Sequence, residues 1–327
     1  MAEIVVTDGM APEAIELLQK AGHVVTLKHI SEADLLGGKL SNYEGIIVRS
    51  ATKLTGEIIE ASEGLKVIAR AGVGVDNIDI EVAGRRGIPV INAPNSSTQS
   101  VVELTIGHLL SSVRYLPRSD RGLRNGRWMK KELKGTELRG KRLGLIGFGR
   151  IAQGVANVAK ALGMEIHTYD PYLPNKVAKM FDAYVHKSVD SLFKTCTHVS
   201  IHCNLTPETY HLVNEKRISL MPGKVGNIVC GNHIVNCARG GIVDESAVLQ
   251  SLENGNLASA ALDVFEIEPV PENYDLVNHE NFHGTPHIGA ATLEAQSRVG
   301  LDTANNVIKF FKNKKLESIV NQKFLNS

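Results

Sequence analysis

Arg142-Leu-Gly-Leu-Ile-Gly-Phe-Gly-Arg-Ile-Ala152 passes from a short apolar run into a glycine turn and on into a helical pattern. Gly147, Gly149 and Ala152 stand in the GxGxxA form of the dinucleotide fingerprint. Gly147 permits a tight turn, Gly149 lets the backbone approach a diphosphate, and Ala152 is small enough for close helix–strand packing. The helix that follows offers unpaired N–H groups and its positive end to phosphate. The next strand, Met164-Glu-Ile-His-Thr-Tyr, runs into Asp170. That is close to the offset of about 20 residues at which an acid meets the adenosine ribose. A carboxylate there repels a 2′-phosphate, so the reading favours NAD over NADP.

Outward from this turn, a βαβ series begins at Leu138 and continues to about residue 290. The first hundred residues carry a second series. Glu3-Ile-Val-Val-Thr, Gly45-Ile-Ile-Val, Lys66-Val-Ile-Ala-Arg and Ile88-Pro-Val-Ile-Asn read as strands, and Ala11 to Gly22 as a helix with a glycine C-cap. Strands separated by helices imply parallel sheets covered on both faces. A long helix is expected from Thr98 to Tyr115, stopping before Pro117, and a polar arm with Trp128 follows it. Leu293 to Phe311 reads as one amphipathic helix with a polar tail. The fold expected is α/β, with two doubly wound parallel-sheet domains. A Rossmann-type domain over 99–290, including an arm over about 99–140, is inserted in a discontinuous flavodoxin-like substrate domain made of 1–98 and 291–327.

The chain has 327 residues, 43% of them apolar and 22% charged, which suffices for two cores. A formal charge of +1 argues against nucleic acid or an anionic membrane as a partner. The start, Met1-Ala-Glu-Ile-Val-Val-Thr-Asp-Gly, lacks the regions of a signal peptide, and no apolar run approaches a membrane helix. Cys196, Cys203, Cys230 and Cys237 form neither a disulfide framework nor a CxxC pair, so reduced thiols in a cytoplasmic protein are expected. No histidine stands in an HExxH or similar spacing, so no metal is expected.

Three further segments carry charged groups where strands run into loops. Ile234-Val-Asn-Cys-Ala-Arg-Gly-Gly presents Arg239, Ala260-Ala-Leu-Asp-Val-Phe-Glu-Ile-Glu presents Asp263 and Glu268, and Thr285-Pro-His-Ile-Gly presents His287. Open α/β sheets bind ligands at strand carboxyl ends. An arginine, a carboxylate and a histidine are what oxidation of a 2-hydroxy acid needs.

With these segments, the chain resembles the D-2-hydroxyacid dehydrogenases, and among them the branch that oxidises 3-phosphoglycerate. Further anchors are Val48-Arg-Ser-Ala-Thr-Lys-Leu-Thr, Ala69-Arg-Ala-Gly-Val-Gly-Val-Asp-Asn-Ile-Asp, Asn236-Cys-Ala-Arg-Gly-Gly-Ile-Val-Asp-Glu and Leu262-Asp-Val-Phe-Glu. The resemblance implies that Arg239 clamps the substrate carboxylate and polarises the 2-oxygen. It implies that His287 exchanges the hydroxyl proton, and that Glu268 orients the ring and favours its protonated form. It places Gly147, Gly149, Arg150, Ile151, Asp170, Cys203, Ala238, Asp263, Gly289 and Ala290 at NAD, with Asp263 near the nicotinamide amide. Gly72, Val73 and Gly74 are expected to offer backbone donors to the substrate carboxylate, and Arg49 and Arg70 to face its phosphate. A cytoplasmic homodimer is implied, acting on a small 2-hydroxy acid. A glyoxylate or hydroxypyruvate reductase is the sibling reading, and an NAD-sensing corepressor the distant one.

Three departures from the family pattern stand out. Val73 replaces a threonine, and Cys203-Asn204 replaces an apolar residue and proline. The connection Gly223 to His233 is six or seven residues longer than the family's, and a shift of the following strand would carry Arg239 with it. The carboxy-terminal regulatory domain of longer relatives is expected to be absent, and with it inhibition by serine.

Overall fold

The computed structural model describes residues 1–316 and 318–325; residues 317, 326 and 327 of the expected polar tail lie outside the described residues. Two compact units form. One comprises residues 1–97 together with the described residues from Ala290 onward, and the other comprises Thr98–Gly289.

In the first unit, β1 (Glu3–Val6), β2 (Val24–Leu27), β3 (Gly45–Val48), β4 (Val67–Arg70) and β5 (Val90–Asn92) make a parallel sheet in the order β2-β1-β3-β4-β5. This is the flavodoxin-type order. Alternate residues feed two cores. Ile4, Val6 and Ile47 pack beneath the helices Pro12–Lys20 and Leu293–Phe311, while Val5, Ile46 and Val48 pack against Ile58, Ile59 and Val82 on the other face. Burial on both faces explains why these strands read as unbroken apolar runs.

In the second unit, β6 (Arg142–Ile146), β7 (Glu165–Tyr169), β8 (Tyr184–Val185), β9 (His198–Ile201), β12 (His233–Asn236), β13 (Ser259–Leu262) and β14 (Phe282–Gly284) pair in parallel. Their order is β14-β13-β12-β9-β6-β7-β8. This is the Rossmann arrangement with a seventh strand beyond the usual six. The intervening β10 (Lys224–Val225) and β11 (Ile228–Val229) form a separate antiparallel hairpin.

Two sequence expectations change in detail. The helix expected over 98–115 ends at Arg114, and a second helix, Leu116–Arg124, begins after Tyr115 at φ 52°. Pro117 falls in that helix's first turn, where its missing N–H costs nothing and its fixed φ suits the start. The long connection closes on itself as the β10–β11 hairpin. The carbonyl of Gly223 accepts from the amides of Cys230 (3.0 Å) and Gly231 (2.9 Å), so the inserted residues leave and rejoin the fold at nearly one point. β12 then pairs in register with β9 and β13 from His233 to Asn236, and the feared displacement of Arg239 does not occur.

Candidate active site

The glycine turn after β6 is shaped by backbone packing. Gly147 adopts φ +84°, and an added Cβ would lie 2.8 Å from the carbonyl oxygen of His202 and 3.0 Å from the amide of Cys203. Only glycine fits such a conformation pressed against another strand end. Gly149, the N-cap of the helix Arg150–Ala161, provides no capping side chain, and a Cβ there would meet nothing within 4 Å. Ala152 is fully buried against the sheet. An open, side-chain-free helix start is the condition a diphosphate requires, so these residues fit the dinucleotide that the sequence implies.

Asp170, at the end of β7, accepts from the amide of Phe148 in that turn (2.8 Å) and from the amide of Tyr172 (2.9 Å). The carboxylate ties the turn to the neighbouring strand and keeps further lone pairs for a ribose hydroxyl. Cys203 is half-buried beside Gly147, and burial pushes its thiol up to about 11, so it stays neutral there. Arg150 is exposed and Ile151 half-buried in the helix's first turn.

The second group lies over β12, β13 and β14, which are neighbours in the sheet. After β12, the side chain of Asn236 closes the turn by accepting from the amide of Ala238 (2.9 Å) and donating to the carbonyl of Arg239 (2.8 Å). Arg239 and Ala238 are half-buried, and the guanidinium donates to the Ala238 carbonyl at 2.6 Å. The next residue, Gly240, presses on the loop after β13: a Cβ there would sit 1.8 Å from the Phe265 carbonyl oxygen. Phe265 in turn donates its amide to Glu268 Oε1 (3.0 Å), and Glu268 Oε2 accepts from His287 Nδ1 (2.8 Å). Arg239, Glu268 and His287 thus stand on three linked loops. Since the carboxylate can only accept, Nδ1 carries the proton, and Nε2 is the atom left to take or give one. The pair is half-exposed, at 48% for His287 and 37% for Glu268, so it orients the ring more than it stabilises the fold.

His287 sits at φ +53°, a conformation uncommon for a non-glycine residue. Asp263 holds it there. Its backbone carbonyl accepts from the His287 amide (2.8 Å), and its carboxylate accepts from the Thr285 hydroxyl (2.6 Å), the Ile288 amide (2.8 Å) and the Gly289 amide (2.8 Å). At 1% exposure, Asp263 is a clamp for the histidine loop. Gly289 fits because a Cβ would approach Asp263 Oδ2 to 2.9 Å, while Ala290 is exposed just beyond.

Sequence reasoning missed the partners behind this clamp. Thr285 donates to Asp263, so it accepts from His108 Nε2 (3.1 Å), and burial keeps His108 below the ordinary histidine range and neutral. Glu245 holds the loop after β13 from behind, accepting from the Glu266 amide (2.6 Å) and the Tyr274 hydroxyl (2.5 Å). No spacing in the sequence marks either contact. Asn236, placed at a strand end beside Cys237-Ala-Arg, did carry a signal, since asparagine is a turn-closing residue.

In the first unit, Arg49 follows β3 and Arg70 is the last residue of β4, paired with Val48; both arginines are half-buried. The Arg49 amide is held by Asp8 Oδ2 (2.7 Å). The Arg70 guanidinium lies over Gly72, where a Cβ would meet it at 1.4 Å. Of the three expected backbone donors, Gly72 is spent internally: its amide donates to the Arg70 carbonyl at 2.8 Å. Val73 is 37% exposed, and its carbonyl accepts from Asn92 Nδ2. Gly74 is half-buried.

Comparison with known proteins agrees with this reading of the fold. Residues 106–289 match the D-isomer specific 2-hydroxyacid dehydrogenase NAD binding domain. The chain belongs to the D-isomer-specific 2-hydroxyacid dehydrogenases, and its cofactor is NAD. It is 43% identical, over 98% of its length, to a D-3-phosphoglycerate dehydrogenase of Methanocaldococcus jannaschii, of which it spans 60%. It is 44% identical, over 93% of its length, to a hydroxypyruvate reductase of Thermotoga maritima, of which it spans 96%. Among solved structures, NAD+-bound 3-phosphoglycerate dehydrogenase of Entamoeba histolytica is similar at a TM-score of 0.79, with 31% identity and coverage of 98% of this chain and 99% of that one. Among the described residues, no helix is long and apolar enough to cross a membrane.

Proposed function

We propose that the chain oxidises D-3-phosphoglycerate to 3-phosphohydroxypyruvate. The observation that carries the reading of the reaction is the Glu268–His287 contact, on loops joined to the one that bears Arg239. Bound NAD+ supplies the acceptor for the hydride that leaves C2. Arg239 pairs with the substrate carboxylate through its planar fork of donors. His287 Nε2 takes the hydroxyl proton as the carbonyl forms and returns it in the reverse reaction. Glu268 keeps Nδ1 protonated and the ring aimed, and Asp263 holds the backbone that carries it. Asp170 receives the ribose hydroxyls.

The phosphate is the finer part of the reading. Arg49 follows β3 and Arg70 ends the neighbouring β4, paired with Val48, and two guanidinium groups suit a dianion. A second reading, reduction of hydroxypyruvate or glyoxylate, is favoured by the likeness to the Thermotoga maritima reductase over nearly that protein's whole length. Steady-state rates with 3-phosphoglycerate, glycerate, hydroxypyruvate and glyoxylate, each with NAD and NADP cofactors, separate the two. 3-Phosphoglycerate should win in kcat/KM, and Arg49→Leu and Arg70→Leu should each lose about tenfold on it while leaving glycerate unchanged. Preference for the unphosphorylated acids, with both variants indifferent, would transfer the assignment to the reductase.

We also propose a cytoplasmic homodimer that uses the arm around 116–128. This segment presents Leu116 (54% exposed), Leu123 (56%) and Trp128 (80%). Sedimentation of the protein and of Trp128→Glu tests it.

A further inference from the structure

The far edge of the second unit's sheet carries a cluster that the chemistry above does not use. His167 lies on β7, His186 just beyond β8, and Cys196 just before β9. One ligand atom from each falls within 4.8 Å of the other two. Catalytic residues follow β12, β13 and β14, at the opposite side of the same sheet. His167 is 6% exposed, Cys196 is fully buried, and His186 is half-buried. Space for the sulfur comes from Gly144, paired with His167 across β6 and β7: a Cβ there would stand 3.1 Å from Cys196 Sγ.

Hydrogen bonding around the two rings leaves one of them mismatched. Ser191 donates its hydroxyl to the Ser188 carbonyl (2.8 Å), so it accepts from His186 Nδ1 (3.1 Å). That puts the His186 proton on Nδ1 and turns its Nε2 lone pair toward His167 Nδ1, 3.0 Å away. His167 must then carry its single proton on Nδ1. Its Nε2 is left buried, without a hydrogen-bond partner among the described residues, with its lone pair 3.8 Å from the carboxylate of Glu165. Adding a second proton would relieve this, but burial and the neighbouring His186 and Arg142 hold His167 down to about 4, so it is neutral at physiological pH.

We propose that His167 Nδ1, His186 Nε2 and Cys196 Sγ bind one divalent transition-metal ion of the zinc class. On binding, the His167 proton moves to Nε2 and meets the Glu165 carboxylate, while the Cys196 thiol loses its proton to water. One proton is therefore released per ion bound. Both imidazoles then have the outer partner that metal-bound histidines use, Glu165 for one and Ser191 for the other. Glu165 is itself fixed by Arg142 Nε (3.1 Å), and His167 is stacked on Tyr184 at a centroid distance of 4.9 Å. Bonds of about 2.0–2.1 Å to nitrogen and about 2.3 Å to sulfur need ligand atoms about 3.3–3.6 Å apart, so side-chain shifts of about an ångström complete the site. Three protein ligands leave a fourth position for water. The ligands lie on or beside three different strands and form no motif in the chain. The bound ion ties β7, β8 and the start of β9 together.

Cobalt and zinc titration of chelator-stripped, reduced full-length protein tests this. One Co2+ per chain should bind with a thiolate-to-cobalt charge-transfer band, and one Zn2+ should displace it. Zinc should raise the Tm of the wild type. Cys196→Ser should remove the band, and His186→Ala should lower zinc affinity beyond about a hundredfold, with Glu165→Gln costing about tenfold. His186 is half-buried, so its variant keeps the test sound should Cys196→Ser not fold. Absence of the band in the wild type, its persistence in Cys196→Ser, or a zinc-induced Tm shift unchanged in His186→Ala would each overturn the proposal.

Discussion

The loop after β6 and the loop after β14 both leave the sheet at a strand's carboxyl end, yet they are built in opposite ways. The first works by removing side chains. Gly147 packs backbone on backbone and Gly149 leaves the helix start open. The second works by adding them: one buried carboxylate, Asp263, gathers the Thr285 hydroxyl and the amides of Ile288 and Gly289, and its own carbonyl takes the amide of His287. A phosphate needs only unobstructed donors, whereas a proton-transfer group must be held in one orientation against its own backbone preference. Binding asks for room, and proton transfer asks for a scaffold.

The contrast can be broken at either loop. The largest effect is expected from His287→Gln, which should lower kcat by about 10²–10⁴-fold while leaving NADH affinity, read by fluorescence titration, unchanged. Asp263→Ala comes next. It strands three donors in a buried place, at about 1–3 kcal/mol for each one left without water. It should lower the denaturation midpoint and slow turnover together, whereas His287→Gln should leave stability alone. Gly147→Ala forces a Cβ against the His202 backbone at φ +84° and should weaken NADH about tenfold, at about 1–2 kcal/mol, with kcat at saturation nearly kept. The smallest effect belongs to excision of 224–229. These residues leave and rejoin the fold at Gly223, so denaturation should shift by less than about 1 kcal/mol with rates unchanged. A large loss there would mean that the hairpin supports Arg239 after all.

Legibility in the sequence follows the same contrast. The GxGxxA turn and the apolar strands announced themselves, because what shapes them is local: a missing Cβ, or a run of branched residues buried on both faces. Strand ends bearing Arg239, Glu268 and His287 were legible as charged residues after apolar runs. Asp263 was visible as a residue but its work was not, since nothing in the chain says that donors more than twenty positions away fold back onto it. The first helix does stop before Pro117, but the helix that starts there stayed hidden, because a proline in a first turn and a proline past a last turn look alike. The inserted segment showed its turn residues but not that they close a hairpin. His167, His186 and Cys196 were invisible as a group, because sheet register alone brings them together.

The most direct test of the account is a double-mutant cycle on kcat/KM with Glu268→Gln, His287→Gln and the pair combined. If Glu268 acts only by holding His287, its loss should matter in the wild type and cost nothing further once His287 is gone. Independent effects that multiply in the double variant, or a His287→Gln enzyme that turns over at the wild-type rate, would contradict the claim that these loops form one catalytic centre.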